Sequence, residues 1–160
     1  MNVQGHPMRT IWPAKDCRTV EIIDQTRLPH ELAIIGLQCV EDAAAAIRTM
    51  QVRGAPLIGA TAAYGVALAM GEDPSNSGLD RAVSQLAATR PTAVNLRWAL
   101  AEMRRVLAEV PEDRRFSAEV LSDTDINARA MVKEALGEPA IVCPQIIKDS
   151  LERELHHCLE

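Results

Sequence analysis

The apolar positions along this chain change period once, near residue 40. Before that point, short β-prone runs alternate with polar connections. Thr10-Ile11-Trp12 is the first run, and residues 13–18 form a polar connection. Residues 19–24 supply Val20, Ile22 and Ile23 as a second strand, and residues 31–37 read as a third, ending near Gly36. Runs of this kind, bounded by turn-forming residues, predict a small antiparallel sheet.

Beyond the change, Val40, Ala43, Ala44, Ile47 and Met50 fall on one helical face. Glu41 and Asp42 sit in the first turn, where acids complement the positive helix end. Gly54 is expected to mark the end of that helix region. Pro56 suits the first turn of a second helix over 56–70, because its missing N–H costs nothing there. That second helix is apolar nearly all round and should be central. Residues 72–78 form a turn-rich loop. A third helix carries Leu79, Ala82, Val83 and Leu86 and breaks at Arg90-Pro91. A fourth starts near 92–95, buries Leu96, Leu100, Met103 and Leu107, and ends at Pro111. A more polar fifth helix is expected over 117–136, stopped by Gly137 and Pro139. Residues 140–143 read as a short strand or extended link, and 144–158 as a last amphipathic helix. The predicted fold class is α+β and mostly helical: a small N-terminal antiparallel sheet followed by a helical bundle.

Composition narrows the function classes. With 160 residues, the chain can bury one substantial core. Aromatic residues are 2% of it, so base-stacking platforms are not expected and aliphatic side chains must build the interior. The net charge is −5 and no Lys/Arg run occurs, so nucleic acid is not an expected partner. The uncharged stretch 54–71 is too rich in Gly and Ala to favour a bilayer, and membrane insertion is not expected. Cys17, Cys39, Cys143 and Cys158 form no CxxC pair and no zinc spacing, so no metal site is expected. The polar start around Gly5, His6 and Pro7 lacks a signal-peptide pattern, which points to the cytoplasm and free thiols.

The candidate chemistry lies at two helix starts. In Met50-Gln51-Val52-Arg53-Gly54-Ala55-Pro56, small residues open a helix whose unpaired N–H groups and positive end suit an anion. Arg53 adds a bidentate donor. The competing reading is a plain turn between helices with an exposed arginine. Gly54 and Gly59 have P-loop separation, but Ala60-Thr61 follows where lysine is required, so a nucleotide-triphosphate site is excluded. The second start is Thr89-Arg90-Pro91-Thr92-Ala93-Val94-Asn95-Leu96, where an arginine again precedes a Pro-led helix. Its competing reading has Arg90 capping carbonyls of the preceding helix.

The stretches MQVRGAPLIGATAAYGVAL and RPTAVNLRWAL resemble the N-terminal part of S-methyl-5-thioribose-1-phosphate isomerases, as does VEIIDQTRLPHEL. That family belongs with the regulatory subunits of translation initiation factor 2B, and RPTAVNL points to its isomerase branch. The resemblance covers about residues 9–110. It implies a substrate-binding role for Arg53, Gly54, Ala55 and Arg90, a small sugar-phosphate substrate, no cofactor, and a homodimer. Such enzymes interconvert methylthioribose 1-phosphate and methylthioribulose 1-phosphate in methionine salvage. The phosphate on the anomeric carbon must be held while the ring opens and hydrogen moves from C2 to C1.

The family's catalytic residues are a cysteine in a Thr-His-Cys-Asn-Ala-Gly motif and an aspartate in a later Gly-Ala-Asp motif of a C-terminal α/β domain. His156-His157-Cys158 falls roughly where the His-Cys pair would, which makes Cys158 the candidate catalytic cysteine. Leu159-Glu160 stands in place of Asn-Ala-Gly, however, and the preceding stretch reads as helix. The expected organisation is therefore a sheet region (1–39), a helical bundle with the sugar-phosphate motifs (40–138) and a divergent tail (139–160), without the family's C-terminal domain. The expected function is substrate binding with little or no turnover by this chain alone. The alternative is a non-catalytic binding or interaction module related to the regulatory subunits.

Overall fold

A computed structural model describes residues 2–3, 6–7, 9–16 and 18–115. Elements predicted beyond residue 115 lie outside the described residues, as does Cys158.

Five strands precede four helices. A two-residue pair, β1 (Asn2–Val3) and β2 (His6–Pro7), is antiparallel and was not anticipated from the polar start. The second sheet holds β3 (Ile11–Pro13), β4 (Val20–Ile23) and β5 (Ile34–Leu37) in the order β3-β4-β5, all antiparallel. Ile22 of the central strand pairs with Ile11 on one side and Ile35 on the other. Pro13 sits on an edge strand, where a missing N–H is tolerated. Val20, Ile22 and Ile23 are fully buried.

The helices are α1 (Val40–Arg48), α2 (Ala55–Glu72), α3 (Asn76–Ala87) and α4 (Val94–Ala108). A short 3₁₀ turn, Glu112–Arg114, follows. Helix α2 is the hub: α1, α3 and α4 all pack on it, and every residue from Leu57 to Met70 is buried. An all-round apolar helix has no polar face to give to water, so enclosure by neighbours is its stable outcome. Removing Leu57, Ile58, Leu68 or Met70 from water favours this arrangement by about 1.5–3 kcal/mol per side chain. Gly65 makes the close approach possible. A Cβ there would stand 2.9 Å from the Ala43 Cβ on α1 and 3.2 Å from Leu86 on α3. The stripe expected on α4 is buried as well, at Leu96, Leu100, Met103 and Leu107. Ile11, Val20, Ile22 and Leu37 of the sheet join these helices in one core.

The link between α1 and α2 differs from the expectation. Helix α1 stops at Arg48, not at Gly54. Met50 takes the left-handed conformation (φ 63°) and is 46% exposed, so it does not extend the buried face of α1. Gly54 instead opens α2, with φ 100°. Both residues signal a chain reversal, and the reversal came one turn earlier than glycine alone suggested.

Among the described residues no helix is long and apolar enough to cross a membrane.

Candidate functional site

The four helix starts are built in two ways. Helix α1 has Glu41 and Asp42 in its first turn, and the Asp42 carboxylate accepts from the Gln38 N–H at 2.9 Å. Helix α3 is capped by Ser75, whose hydroxyl accepts from the Gly78 N–H at 3.1 Å. Of these two, the α3 start has a side-chain cap, whereas the α1 N-cap, Cys39, brings none and α1 has the acids of its first turn. The N-cap residues of α2 and α4 are Gly54 and Ala93, which bring no capping side chain, and neither first turn contains an acid. The first N–H groups of both helices therefore remain open to an external acceptor.

Each open start has its arginine close by. Arg53 directly precedes Gly54 and is exposed. Its Nη2 donates to the Gln25 carbonyl at 2.6 Å. Arg90 lies three residues before Ala93, is half-buried, and accepts the Ala93 N–H at its carbonyl at 3.0 Å. Among the described residues, no carboxylate forms an ion pair with Arg53 or Arg90. Arg81, Arg104 and Arg105 are by contrast each held by an acid. Capping of α3 is carried out by Thr89, not Arg90: the Thr89 hydroxyl donates to the Leu86 carbonyl at 2.6 Å. Gly54 and Ala55 are exposed at the mouth of α2. Backbone at Gly54 passes through a region that side chains disfavour, and this brings the α2 start round beside Arg53.

Asp42 bonds at a helix start, and Glu41 is exposed, accepting from Gln85 at 3.1 Å. Asp24 is buried, 3% exposed. One of its oxygens accepts from both the Thr26 N–H (2.9 Å) and the Thr26 hydroxyl (2.6 Å), and the other from Gln51 Nε2 at 3.4 Å. Burial, the largest single influence, pushes its carboxyl pKa up. The Thr26 and Gln51 hydrogen bonds and the Arg27 charge outweigh burial and hold it below the usual aspartate range. The Asp-x-Thr spacing was the available local signal, since Asp often bonds its own backbone two residues on.

Cys39, Glu41 and Glu72 place their ligand atoms within 4.8 Å of one another. Burial raises the Cys39 thiol pKa, which disfavours the thiolate a metal would need.

No family model matches the chain. A methylthioribose-1-phosphate isomerase from Rhodospirillum rubrum is 54% identical over 154 residues, covering 93% of this chain and 38% of that protein. An uncharacterized protein in petC 3′ region, from the same species, is also 54% identical over 154 residues, with 93% and 80% covered. Among solved structures, 5-methylthioribose 1-phosphate isomerase from Pyrococcus horikoshii superposes with a TM-score of 0.62 at 35% identity, over 79% of this chain and 36% of that one. Subunit delta of translation initiation factor eIF-2B from A. fulgidus gives 0.65 at 32% identity, over 80% and 37%. The chain spans about two fifths of the length of the isomerases it matches. Its sequence and its fold agree on one assignment: the chain belongs to the methylthioribose-1-phosphate isomerase family, within the superfamily shared with the initiation factor 2B subunits.

Proposed function

We propose that this chain binds the phosphate of methylthioribose 1-phosphate, with Arg53, Gly54 and Ala55 on one side of the anion and Arg90 on the other. The observation that carries the reading is that two helix starts have neither a side-chain cap nor a first-turn acid, and each stands beside an arginine that no described carboxylate claims. Open N–H groups, a positive helix end and a planar guanidinium fork together suit a dianionic phosphate. In the isomerisation, such donors fix the anomeric phosphate and stabilise charge as the ring opens. By the family resemblance, the groups that move hydrogen would be the candidate Cys158 and the aspartate of a Gly-Ala-Asp motif, a motif that does not occur in residues 1–160. The reading made from these residues is therefore one of substrate binding. It carries with it a homodimer, a cytoplasmic setting in methionine salvage, and no cofactor.

Calorimetric titration of the 160-residue chain with methylthioribose 1-phosphate tests this. Removing one charge-assisted contact removes about 1.5–3 kcal/mol, so Arg53→Ala and Arg90→Ala should each weaken binding roughly 10- to 100-fold. Affinity unchanged in both variants means that the site is elsewhere.

A second reading is a non-catalytic interaction module. It is favoured by the likeness to the eIF-2B delta subunit and by Val94 and Trp98, which stand 68% and 47% exposed one turn apart on α4. A chain that sediments as a monomer at high concentration counts against self-association through that face.

A further inference from the structure

Arg53 does not stand free beside the start of α2. It is seated on a backbone carbonyl that other residues hold in place. Gln25, which provides that carbonyl, donates its own N–H to the Gln51 carbonyl at 2.9 Å. The backbone at Gln25 is thus fastened twice, through its N–H to Gln51 and through its carbonyl to Arg53. The turn that presents it is shaped by Asp24, through the two Thr26 contacts to one carboxylate oxygen. The other oxygen reaches the Gln51 side chain, 27 residues further along the chain. The exit of β4 is thereby tied to the approach to α2.

We propose that Asp24 and Gln51 are positioning residues for Arg53, holding the Gln25 carbonyl where it aims the guanidinium at an anion on the α2 start. The inference rests on the phosphate reading of Arg53 and adds how the arginine is kept in place. A guanidinium has five N–H donors, and the contact with the Gln25 carbonyl engages one nitrogen, so donors remain for an oxyanion. A long side chain ordered before its ligand arrives loses less freedom on binding. Asp24 suits this task as a buried carboxylate: its oxygens are engaged by Thr26 and Gln51 and do not draw Arg53 into an ion pair. A carboxylate bonded to Arg53 itself would compete with the phosphate. A neutral carbonyl holds the fork without neutralising it.

The test uses the 160-residue chain and two readouts. Nitrogen-15 NMR reports rotation of the Arg53 guanidinium, its signals assigned by their disappearance in Arg53→Lys. Calorimetry reports binding of methylthioribose 1-phosphate. In the parent chain the guanidinium should rotate slowly without ligand. Gln51→Ala keeps the backbone carbonyl that holds the Gln25 N–H but removes the side-chain contact to Asp24, so it should speed the rotation and weaken binding about three- to tenfold, the range expected when one ordered side chain must be immobilised anew. That loss should disappear when Arg53 is already Lys. Asp24→Ala should act more strongly, and because it can also unfold the turn, Asp24→Asn is the control. Asparagine keeps the acceptor for Thr26, and Gln51 can turn its amide over to meet it, so slow rotation should be retained. Free rotation in the parent, or rotation and affinity unchanged in Gln51→Ala, overturns the positioning role. Slow rotation that Gln51→Ala releases, in a chain that does not bind the sugar phosphate, keeps the holding frame and removes its purpose. The phosphate reading then fails separately from the geometry.

Discussion

Helix α3 begins with a serine whose hydroxyl meets a first-turn N–H group, and helix α1 begins with two acids in its first turn but no side-chain cap. Helices α2 and α4 begin with Gly54 and Ala93, which meet none. Ala93 forgoes about 1 kcal/mol of capping stabilisation, and Gly54 about a few tenths. Under the proposed phosphate reading, the starts with neither a cap nor a first-turn acid are kept for an acceptor that the chain itself does not supply. Arginine stands beside both of them, and the surrounding packing, centred on buried α2, is strong enough to hold the uncapped ends.

The largest effect is expected from emptying both open starts at once. Arg53→Ala combined with Arg90→Ala should abolish measurable binding of methylthioribose 1-phosphate. Helix content by circular dichroism should stay unchanged, since neither side chain is buried in the core. Next is the backbone that turns α2 toward its arginine. Gly54→Ala places a Cβ at φ 100°, where the nearest atom, Pro56 Cδ, is 3.8 Å away, so the penalty is conformational and not steric. A cost of about 1–3 kcal/mol in urea unfolding is expected.

Exchanging the two kinds of start should have smaller, opposite consequences. Ala93→Asp gives α4 an internal cap and should raise stability by about 1 kcal/mol while weakening anion binding. Ser75→Ala should lower stability by about the same amount and leave ligand affinity alone. If Ala93→Asp stabilises the chain without touching affinity, the α4 start has no part in the site.

The smallest effect separates Asp24 from the exposed acids through pH. Its native pKa is depressed, so its stabilising contribution is complete above the ordinary aspartate value of about 4. That contribution is lost as pH falls through the lower native value. Asp24→Asn should therefore flatten the acid limb of a stability-against-pH curve, and a limb of unchanged slope contradicts the buried hydrogen-bonded carboxylate.

The periodic elements were legible because burial and period agree in them. The apolar run of α2 and the stripe of Leu96, Leu100, Met103 and Leu107 on α4 are both buried. The change of period near residue 40 is the start of α1. The α1–α2 link was misread because a left-handed residue is most often glycine, and here Met50 takes that place before Gly54 is reached. Arg53 and Arg90 could be singled out as candidates because each precedes a Pro-led helix start within a stretch that resembles the family's motifs. Asp24 could not, because its burial and its contact with Gln51 arise only when residues far apart in sequence meet.

One measurement bears most directly on the central claim: calorimetric titration of methylthioribose 1-phosphate into the 160-residue chain, with inorganic phosphate as competitor. The account predicts saturable binding at one site per chain, weakened by added phosphate and lost in the Arg53→Ala, Arg90→Ala double variant. Saturable binding that survives the double variant, or no binding by a folded parent chain, contradicts it.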